Sequence, residues 1–179
     1  MLKLRKTYCP NVLTISGIGR NVGKTTLACS IINKMKWEKK VTAIKISSHF
    51  HSVDYKKNIV EKPGKYVIYQ EDRIDRGKDS SKMLAAGAGK VFFIQTKDEY
   101  IREVWEVLSA LLNSETPVII ESGGIHEMIC PGVSLLITKT KHNKQKASNR
   151  AEVTEVIPDK ENFESTINKI SYSDGSWKF

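Results

Sequence analysis

The segment Gly17-Ile-Gly-Arg-Asn-Val-Gly-Lys-Thr-Thr26 constrains the fold of this chain more than any other. It follows a short apolar run, Asn11–Ser16, and leads into Leu27–Met35, whose apolar residues recur at helical spacing. The sequence therefore predicts a strand, a glycine-rich loop and a helix, in that order. Glycines let a backbone fold around an anion, so that N–H groups and the positive end of the helix dipole point at it. The segment predicts a binding site for phosphate groups.

The position of each residue in this loop predicts its role. Lys24 would reach the outer phosphates of a nucleotide, and the hydroxyl of Thr25 would bind a Mg²⁺ ion that bridges phosphate oxygens. We expect the ligand to be GTP or ATP together with Mg²⁺. The predicted nucleotide-binding residues are Gly19, Arg20, Asn21, Val22, Gly23, Lys24, Thr25 and Thr26.

The loop departs from the common phosphate-binding motif G-x-x-x-x-G-K-[ST]. Ile18 lies where the first glycine would be, and Gly17 instead gives a loop that is one residue longer. The alternative is a strand-to-helix turn that binds nothing, but such turns rarely carry Gly-Lys-Thr-Thr at the first helical turn. The longer loop resembles that of dethiobiotin synthetase and its relatives.

The rest of the chain predicts strands that alternate with helices. Further strands are expected at Val41–Ile46, Val91–Ile94, Val118–Ile120 and Val133–Ile137, with shorter ones at Tyr66–Tyr69 and within Glu152–Ile157. Helices are expected at Asp79–Gly87, Glu99–Asn113 and Asp159–Ile170. Asp79 or Ser80 would cap the first of these, and the inner face of the second would include Leu111 and Leu112.

The alternation of strands and helices predicts the α/β class, as a three-layer P-loop NTPase whose mostly parallel sheet is flanked by helices. We expect residues 1–179 to form a single nucleotide-binding domain.

Composition limits the partners and the compartment. The formal charge is +9, but the excess lies in small basic groups without the aromatic residues typical of RNA-binding surfaces, so nucleic acid is not the expected partner. Three cysteines without C-x-x-C spacing indicate neither a disulfide framework nor a zinc site. No apolar stretch is long enough for a membrane span, and the amino terminus lacks the apolar core of a signal peptide. These features predict a cytoplasmic protein that does not associate with membranes.

A carboxylate is expected beside the phosphate-binding loop. Glu121 directly follows the buried strand Val118–Ile120, and ligands of parallel sheets bind at the carboxyl ends of strands. We predict that Glu121 and Thr25 hold the metal and that Lys24 and Glu121 are the catalytic residues. The alternative is that Glu121 caps the next helix or meets solvent.

Other polar residues allow functional and structural interpretations alike. His49 and His51 follow the second strand, where polar contacts at the rim of the site are about as plausible as no function. A metal pair is disfavoured, because two histidines on a loop lack the fixed geometry of a helical site. Asp54 and Asp79 would be additional acids near the phosphates, or else turn and cap residues.

The order of these motifs resembles the molybdopterin-guanine dinucleotide biosynthesis protein B family. The similar segments are the glycine-rich loop, Ile44-Lys45 with His49-Phe-His51, Lys78-Asp-Ser80 with Ala85-Ala-Gly-Ala88, and Glu121 with His126-Glu127. The resemblance implies a GTP-binding accessory protein with weak hydrolysis, often dimeric, that assists in attaching a guanine nucleotide to molybdopterin. It also implies a molybdenum cofactor biosynthesis enzyme as partner.

This chain departs from that family at four places. The loop is longer, Ser47-Ser48-His49 replaces an H-T-H sequence, Ser122 lies where the family has glycine, and an insertion separates Asp54 from Arg76. Guanine is commonly recognised by an acid after [NT]-K-x, but Lys141 follows Thr138-Lys139-Thr140, so the choice between guanine and adenine stays open.

Two other functions remain as alternatives. One is an ATP-dependent enzyme that activates a carboxylate, as in dethiobiotin synthetase, which the long loop and the Glu121-Ser-Gly-Gly124 segment also resemble. The other is a nucleotide-gated adaptor that uses its basic surface.

Overall fold

A computed structural model describes residues 6–19, 21–50, 58–138 and 153–179. Its strands are β1 (Thr7–Gly17), β2 (Thr42–Ser47), β3 (Asn58–Lys62), β4 (Tyr66–Gln70), β5 (Lys90–Thr96), β6 (Val118–Glu121), β7 (Ile129–Ile137), β8 (Glu155–Ile157), β9 (Ser171–Ser173) and β10 (Ser176–Lys178). Its α-helices are α1 (Lys24–Met35), α2 (Asp79–Ala85), α3 (Ile101–Leu111) and α4 (Phe163–Lys169), with 3₁₀ turns at Asp98–Tyr100, Ile125–Glu127 and Lys160–Asn162.

Eight strands form one sheet in the order β3-β4-β5-β2-β6-β1-β7-β8. The strands from β5 to β8 in this order are all parallel, whereas β3 and β4 form an antiparallel hairpin at one edge. Glu121 of β6 is in register with Ile15 of β1 and with Lys45 of β2. The carboxyl ends of the three central strands therefore meet at one edge of the sheet.

Helices cover both faces of the sheet. Alternate residues of β1 separate the two cores, because Leu13 and Ile15 pack with α1 whereas Val12 packs with α3. Helix α1 buries Leu27, Ala28, Ile31, Ile32 and Met35, and α3 buries Ile101, Val104, Trp105 and Leu108. The prediction of an α/β fold with a mostly parallel sheet between helices is confirmed.

Several predicted boundaries are wrong. The second amphipathic helix begins as a 3₁₀ turn and ends at Leu111, which is exposed and not on the inner face. The N-cap of α2 is Lys78, without a side-chain hydrogen bond, and not Asp79 or Ser80 as predicted. The Asp79 carboxylate faces Lys45. The helix predicted at Asp159–Ile170 also begins as a 3₁₀ turn, where the Asp159 carboxylate accepts hydrogen bonds from backbone N–H groups.

Two hairpins extend beyond the predicted elements. The short strand predicted at Tyr66–Tyr69 is part of β4, which pairs with β3 across a turn at Gly64, where φ is +75°. The second hairpin, β9 and β10, was not predicted. Its Trp177 is buried and donates a hydrogen bond from Nε1 to the Val118 carbonyl over 3.1 Å. The carboxyl-terminal hairpin is thereby fixed to the amino end of β6.

None of the helices in the described part of the chain is long and apolar enough to cross a membrane.

A buried carboxylate joins the segment after β4 to α2. Glu71 is 2% exposed, accepts a 2.7 Å hydrogen bond from the Ser80 hydroxyl and one of 3.2 Å from the Arg73 backbone N–H, and lies 3.7 Å from Arg76 Nε. Removing one partner of a buried charged network leaves the others without compensation. We therefore expect Glu71→Ala to lower the free energy of unfolding by about 3 kcal/mol in a urea titration. The exposed Glu106→Ala on α3 is the matched control, and equal urea midpoints for the two variants would contradict this role of Glu71.

Candidate functional site

The loop between β1 and α1 has an unusual backbone. Gly19, Asn21 and Gly23 have φ values of +108°, +55° and +101°, in the left-handed region that few residues other than glycine and asparagine adopt. A Cβ at Gly17 would lie 2.7 Å from Val22 Cγ2, which shows how closely the loop folds on itself. Arg20 lies outside the described residues. The two glycines with positive φ and the close approach at Gly17 explain why this sequence needs glycine at these places.

The amino end of α1 presents donors without a capping side chain. Among the described residues no side chain caps this helix, and its first turn contains no acid. The first N–H groups of a helix lack partners within the helix, and the helix dipole is positive there. Lys24 Nζ donates to the Gly19 carbonyl over 3.2 Å, so its ammonium lies over the loop. Backbone donors and one ammonium therefore converge at this end of α1, as an anion requires.

Four elements place charged and polar side chains at one point beside the loop. Glu121, at the end of β6, is 1% exposed. Its carboxylate accepts a 2.8 Å hydrogen bond from Thr25 Oγ1 of α1 and forms an ion pair with Lys45 of β2. Lys45 Nζ also lies 3.2 Å from Asp79 Oδ2 at the start of α2. The predicted metal-binding residues Thr25 and Glu121 are thus in direct contact.

The surroundings of Asp79 and Lys24 shift the pKa values of both side chains. Burial raises the pKa of the Asp79 carboxyl, but the charge and hydrogen bond of the Lys45 ammonium, together with smaller effects of Lys82 and Thr25, outweigh burial, so the pKa is lowered overall. The pKa of Lys24 is also lowered, because burial and the charge of Lys45 outweigh the attraction of Glu121 and Asp79. The Asp79 carboxylate therefore keeps its charge near neutral pH, since its pKa moves further below neutrality.

The loop and this cluster line one cleft of about 550 Å³. Its charged lining residues are Lys24, Lys45, Lys82, Lys160, Asp79 and Glu121. Four ammonium groups and two carboxylates leave an excess of two positive charges. Ligand pockets typically enclose about 300 to 1,000 Å³, so the cleft has both the size and the sign of charge for a phosphorylated small molecule.

The sequence and the structure were compared with known protein families, curated proteins and solved structures. No family model, no curated protein and no solved structure matches this chain. The resemblance to the molybdopterin-guanine dinucleotide biosynthesis protein B family therefore stays a prediction from the order of motifs.

The residues present fit a Mg²⁺ ion that accompanies phosphate. Thr25 Oγ1 and the carboxylates of Glu121 and Asp79 are hard oxygen donors, which Mg²⁺ prefers. Within the described ranges no group of three or more His, Cys, Asp or Glu side chains could hold a metal by itself. Mg²⁺ in nucleotide sites usually needs only one or two carboxylates, because phosphate oxygens and waters complete its shell. The donor set thus suits a metal brought in with a nucleotide.

The remaining candidate residues are only partly brought to the site. His49 lines the cleft next to Ser47 and Ser48, in agreement with a rim position. Thr138 is buried at the end of β7, where its backbone N–H donates to Ile157. The predictions made for His51, Asp54 and the basic segment 139–150 fall outside the described residues.

Sequence reasoning missed three lysines of the cleft. Lys45 carried a signal, because a charged residue within a buried strand needs a partner, and Glu121 ends the neighbouring strand. Lys82 and Lys160 carried none. Lys160 reaches the loop only through tertiary folding, which brings its Cε within 3.0 Å of the position that a Cβ on Gly23 would take.

Proposed function

We propose that this protein binds a purine nucleoside triphosphate with Mg²⁺ in the cleft and hydrolyses it slowly. The observation that carries the proposal is the contact between Thr25, at the first turn of α1, and the buried Glu121, directly beside the glycine-rich loop. A bare anion site would need the loop alone. A loop that has a hydroxyl and a carboxylate at its edge supplies donors for the phosphates and oxygens for their metal.

Each side chain has a definite task in this proposal. Backbone N–H groups of the loop and of the first turn of α1 hold the phosphates, and Lys24 turns from the Gly19 carbonyl to the outer phosphate. Thr25 and Glu121 would hold the metal, with Asp79 as a further oxygen donor. Bound Mg²⁺ supplies positive charge to the phosphate oxygens. Lys160, beside Gly23, adds positive charge from the carboxyl-terminal segment.

The biological role is proposed from the resemblance in motif order. We infer an accessory protein of molybdopterin guanine dinucleotide biosynthesis, which binds GTP or ATP and acts, as a dimer, with an enzyme of that synthesis. The site residues support the nucleotide part of this proposal, and the cofactor pathway rests on the sequence resemblance. The cytoplasm is the expected compartment.

A second candidate function is an ATP-dependent enzyme that activates a carboxylate, because the long glycine-rich loop and the Glu121-Ser-Gly-Gly124 segment resemble dethiobiotin synthetase. In such an enzyme Lys24 and the metal would position the outer phosphoryl group for transfer to a substrate acid. This enzyme would bind ATP in preference to GTP and would turn over only when a carboxylic acid acceptor is present.

A calorimetric titration with a panel of nucleotides separates these functions. GTP, ATP, CTP and inorganic triphosphate are titrated into the protein with Mg²⁺ and again with a chelator. The accessory protein predicts purine triphosphates bound more tightly than CTP, with GTP first, whereas the synthetase predicts ATP first. Equal and weak binding of all four ligands, unaffected by Mg²⁺, would rule out both.

Hydrolysis by the protein alone is expected to be slow. Of the described residues, no arginine or glutamine lines the cleft, and such groups contribute about 10³ to 10⁵ in rate in phosphoryl transfer. Arg20, which the sequence places within the loop itself, is the one internal candidate for such a group and lies outside the described residues. We expect single-turnover hydrolysis of GTP or ATP on the order of 10⁻³ s⁻¹. Lys24→Ala, assayed in parallel, measures the background from contaminating enzymes. A rate of about 1 s⁻¹ or more without partner or acceptor would contradict the accessory role.

A further inference from the structure

The Lys45 ammonium lies between two carboxylates, in a position that a metal ion could also occupy. It pairs with the carboxylates of both Glu121 and Asp79, and Glu121 is held on its other oxygen by Thr25. The Lys45 side chain is 16% exposed, and that of Glu121 is 2% exposed. A buried carboxylate needs a compensating cation, and in this structure the cation is the ammonium.

The three residues Thr25, Glu121 and Asp79 are also the oxygen donors that a Mg²⁺ ion would use. An ammonium and a divalent cation cannot both lie between the same two carboxylates, because they repel each other at short distance and compete for the same oxygens. Lys82 differs from Lys45 in this respect. It lies 3.6 Å from Asp79 Oδ1, but its side chain is 56% exposed, so water screens its charge.

We propose that Lys45 occupies the cation position in the nucleotide-free protein and leaves it when the nucleotide and its Mg²⁺ bind. This inference rests on the proposed function, since it assigns Lys45 a role in controlling that same site. A nucleoside triphosphate carries several negative charges, which accept the displaced ammonium. Without a nucleotide the ammonium would have no such partner. Lys45 therefore makes metal binding depend on the nucleotide and keeps free divalent cations out of the cleft.

Metal binding in the absence of any nucleotide tests this role. Mn²⁺, a paramagnetic substitute for Mg²⁺, is titrated into the unmodified protein, Lys45→Met, Lys45→Gln, Lys45→Arg and Lys82→Met, and bound Mn²⁺ is measured by electron paramagnetic resonance. We expect Lys45→Met and Lys45→Gln to bind Mn²⁺ at least about tenfold more tightly than the unmodified protein. Lys45→Arg keeps the positive charge and should bind as weakly as the unmodified protein. Lys82→Met should change the affinity by less than about threefold.

The outcomes distinguish this inference from the proposed function. Equal Mn²⁺ affinities for the unmodified protein and a folded Lys45→Gln would overturn the exchange, as would a gain in Lys82→Met as large as that in Lys45→Met. The folding of Lys45→Met and of Lys45→Gln is checked by thermal unfolding. If Lys45→Met does not fold, Lys45→Gln still provides a neutral variant, because glutamine keeps a hydrogen-bond donor for Glu121. Since this titration contains no nucleotide, a gain in Mn²⁺ affinity stands even if the protein binds no nucleotide. If the protein binds a nucleotide but the Lys45 variants gain no affinity for Mn²⁺, the proposed function stands and the proposed role of Lys45 in the cation position is wrong.

Discussion

Lys24→Ala is expected to weaken the binding of Mg²⁺–GTP and Mg²⁺–ATP by at least about 100-fold. Hydrogen bonds to charged groups contribute roughly 1.5 to 3 kcal/mol each, and each 1.4 kcal/mol is a factor of about ten in affinity. Within the part of the chain that the structure describes, the Lys24 ammonium donates one exposed hydrogen bond, to the Gly19 carbonyl, so urea unfolding should change by less than about 0.5 kcal/mol. Isothermal titration calorimetry gives the affinity, and the urea midpoint gives the stability.

Lys39→Ala is the matched control for this variant. It removes the same side chain from an exposed position after α1, outside the cleft. Its nucleotide affinity should equal that of the unmodified protein. If Lys24→Ala and Lys39→Ala bind Mg²⁺–GTP and Mg²⁺–ATP equally well, the loop between β1 and α1 is not the phosphate site.

Glu121→Gln is expected to reduce the advantage that Mg²⁺ gives to nucleotide binding by at least about tenfold. A divalent cation nearby favours an ionised carboxylate, and glutamine keeps the shape of the side chain without its charge. Binding measured with a chelator should change far less than binding measured with Mg²⁺. The ratio of the two affinities, taken from paired titrations, is therefore the quantity to compare.

Asp79→Asn provides the comparison that assigns the metal-linked acid. Asp79 also contacts Lys45, but its side chain is 42% exposed whereas that of Glu121 is 2% exposed, so we expect a smaller loss of the Mg²⁺ effect. If the Mg²⁺ effect persists in Glu121→Gln and disappears in Asp79→Asn, the acid that holds the metal lies on α2. The assignment of Glu121 would then be wrong.

The layered fold and the centre of the site were predictable because their signals are local. Gly17, Gly19 and Gly23 lie where the backbone needs positive φ or close approach, and these are requirements that a sequence displays directly. The buried strands are continuous apolar runs, and Glu121 follows one of them. A carboxylate at the carboxyl end of a parallel strand lies at the ligand edge whatever the details of packing.

The parts that could not be predicted depend on tertiary contacts. The separation of Lys45 from solvent follows from the strand order, which puts β2 next to β6 although β3, β4 and β5 lie between them in sequence. Lys160 follows the edge strand β8 and is far from Gly23 in sequence, so only the folded sheet brings the two together. The last hairpin had a local signal in Asp174-Gly175, both with positive φ, but its strands contain three residues each and pair stably only because Trp177 is buried.

Nucleotide binding at the loop between β1 and α1 can be tested residue by residue in a nuclear magnetic resonance titration of the ¹⁵N-labelled protein with a non-hydrolysable GTP or ATP analogue and Mg²⁺. Direct contact with phosphate oxygens changes the environment of backbone amides strongly. We expect the largest amide shifts between Gly19 and Thr26 and at the end of β6, and we expect Lys24→Ala to abolish them at the same ligand concentration. Large shifts elsewhere with an unchanged loop, or no saturable shifts at millimolar ligand, would contradict nucleotide binding at this loop.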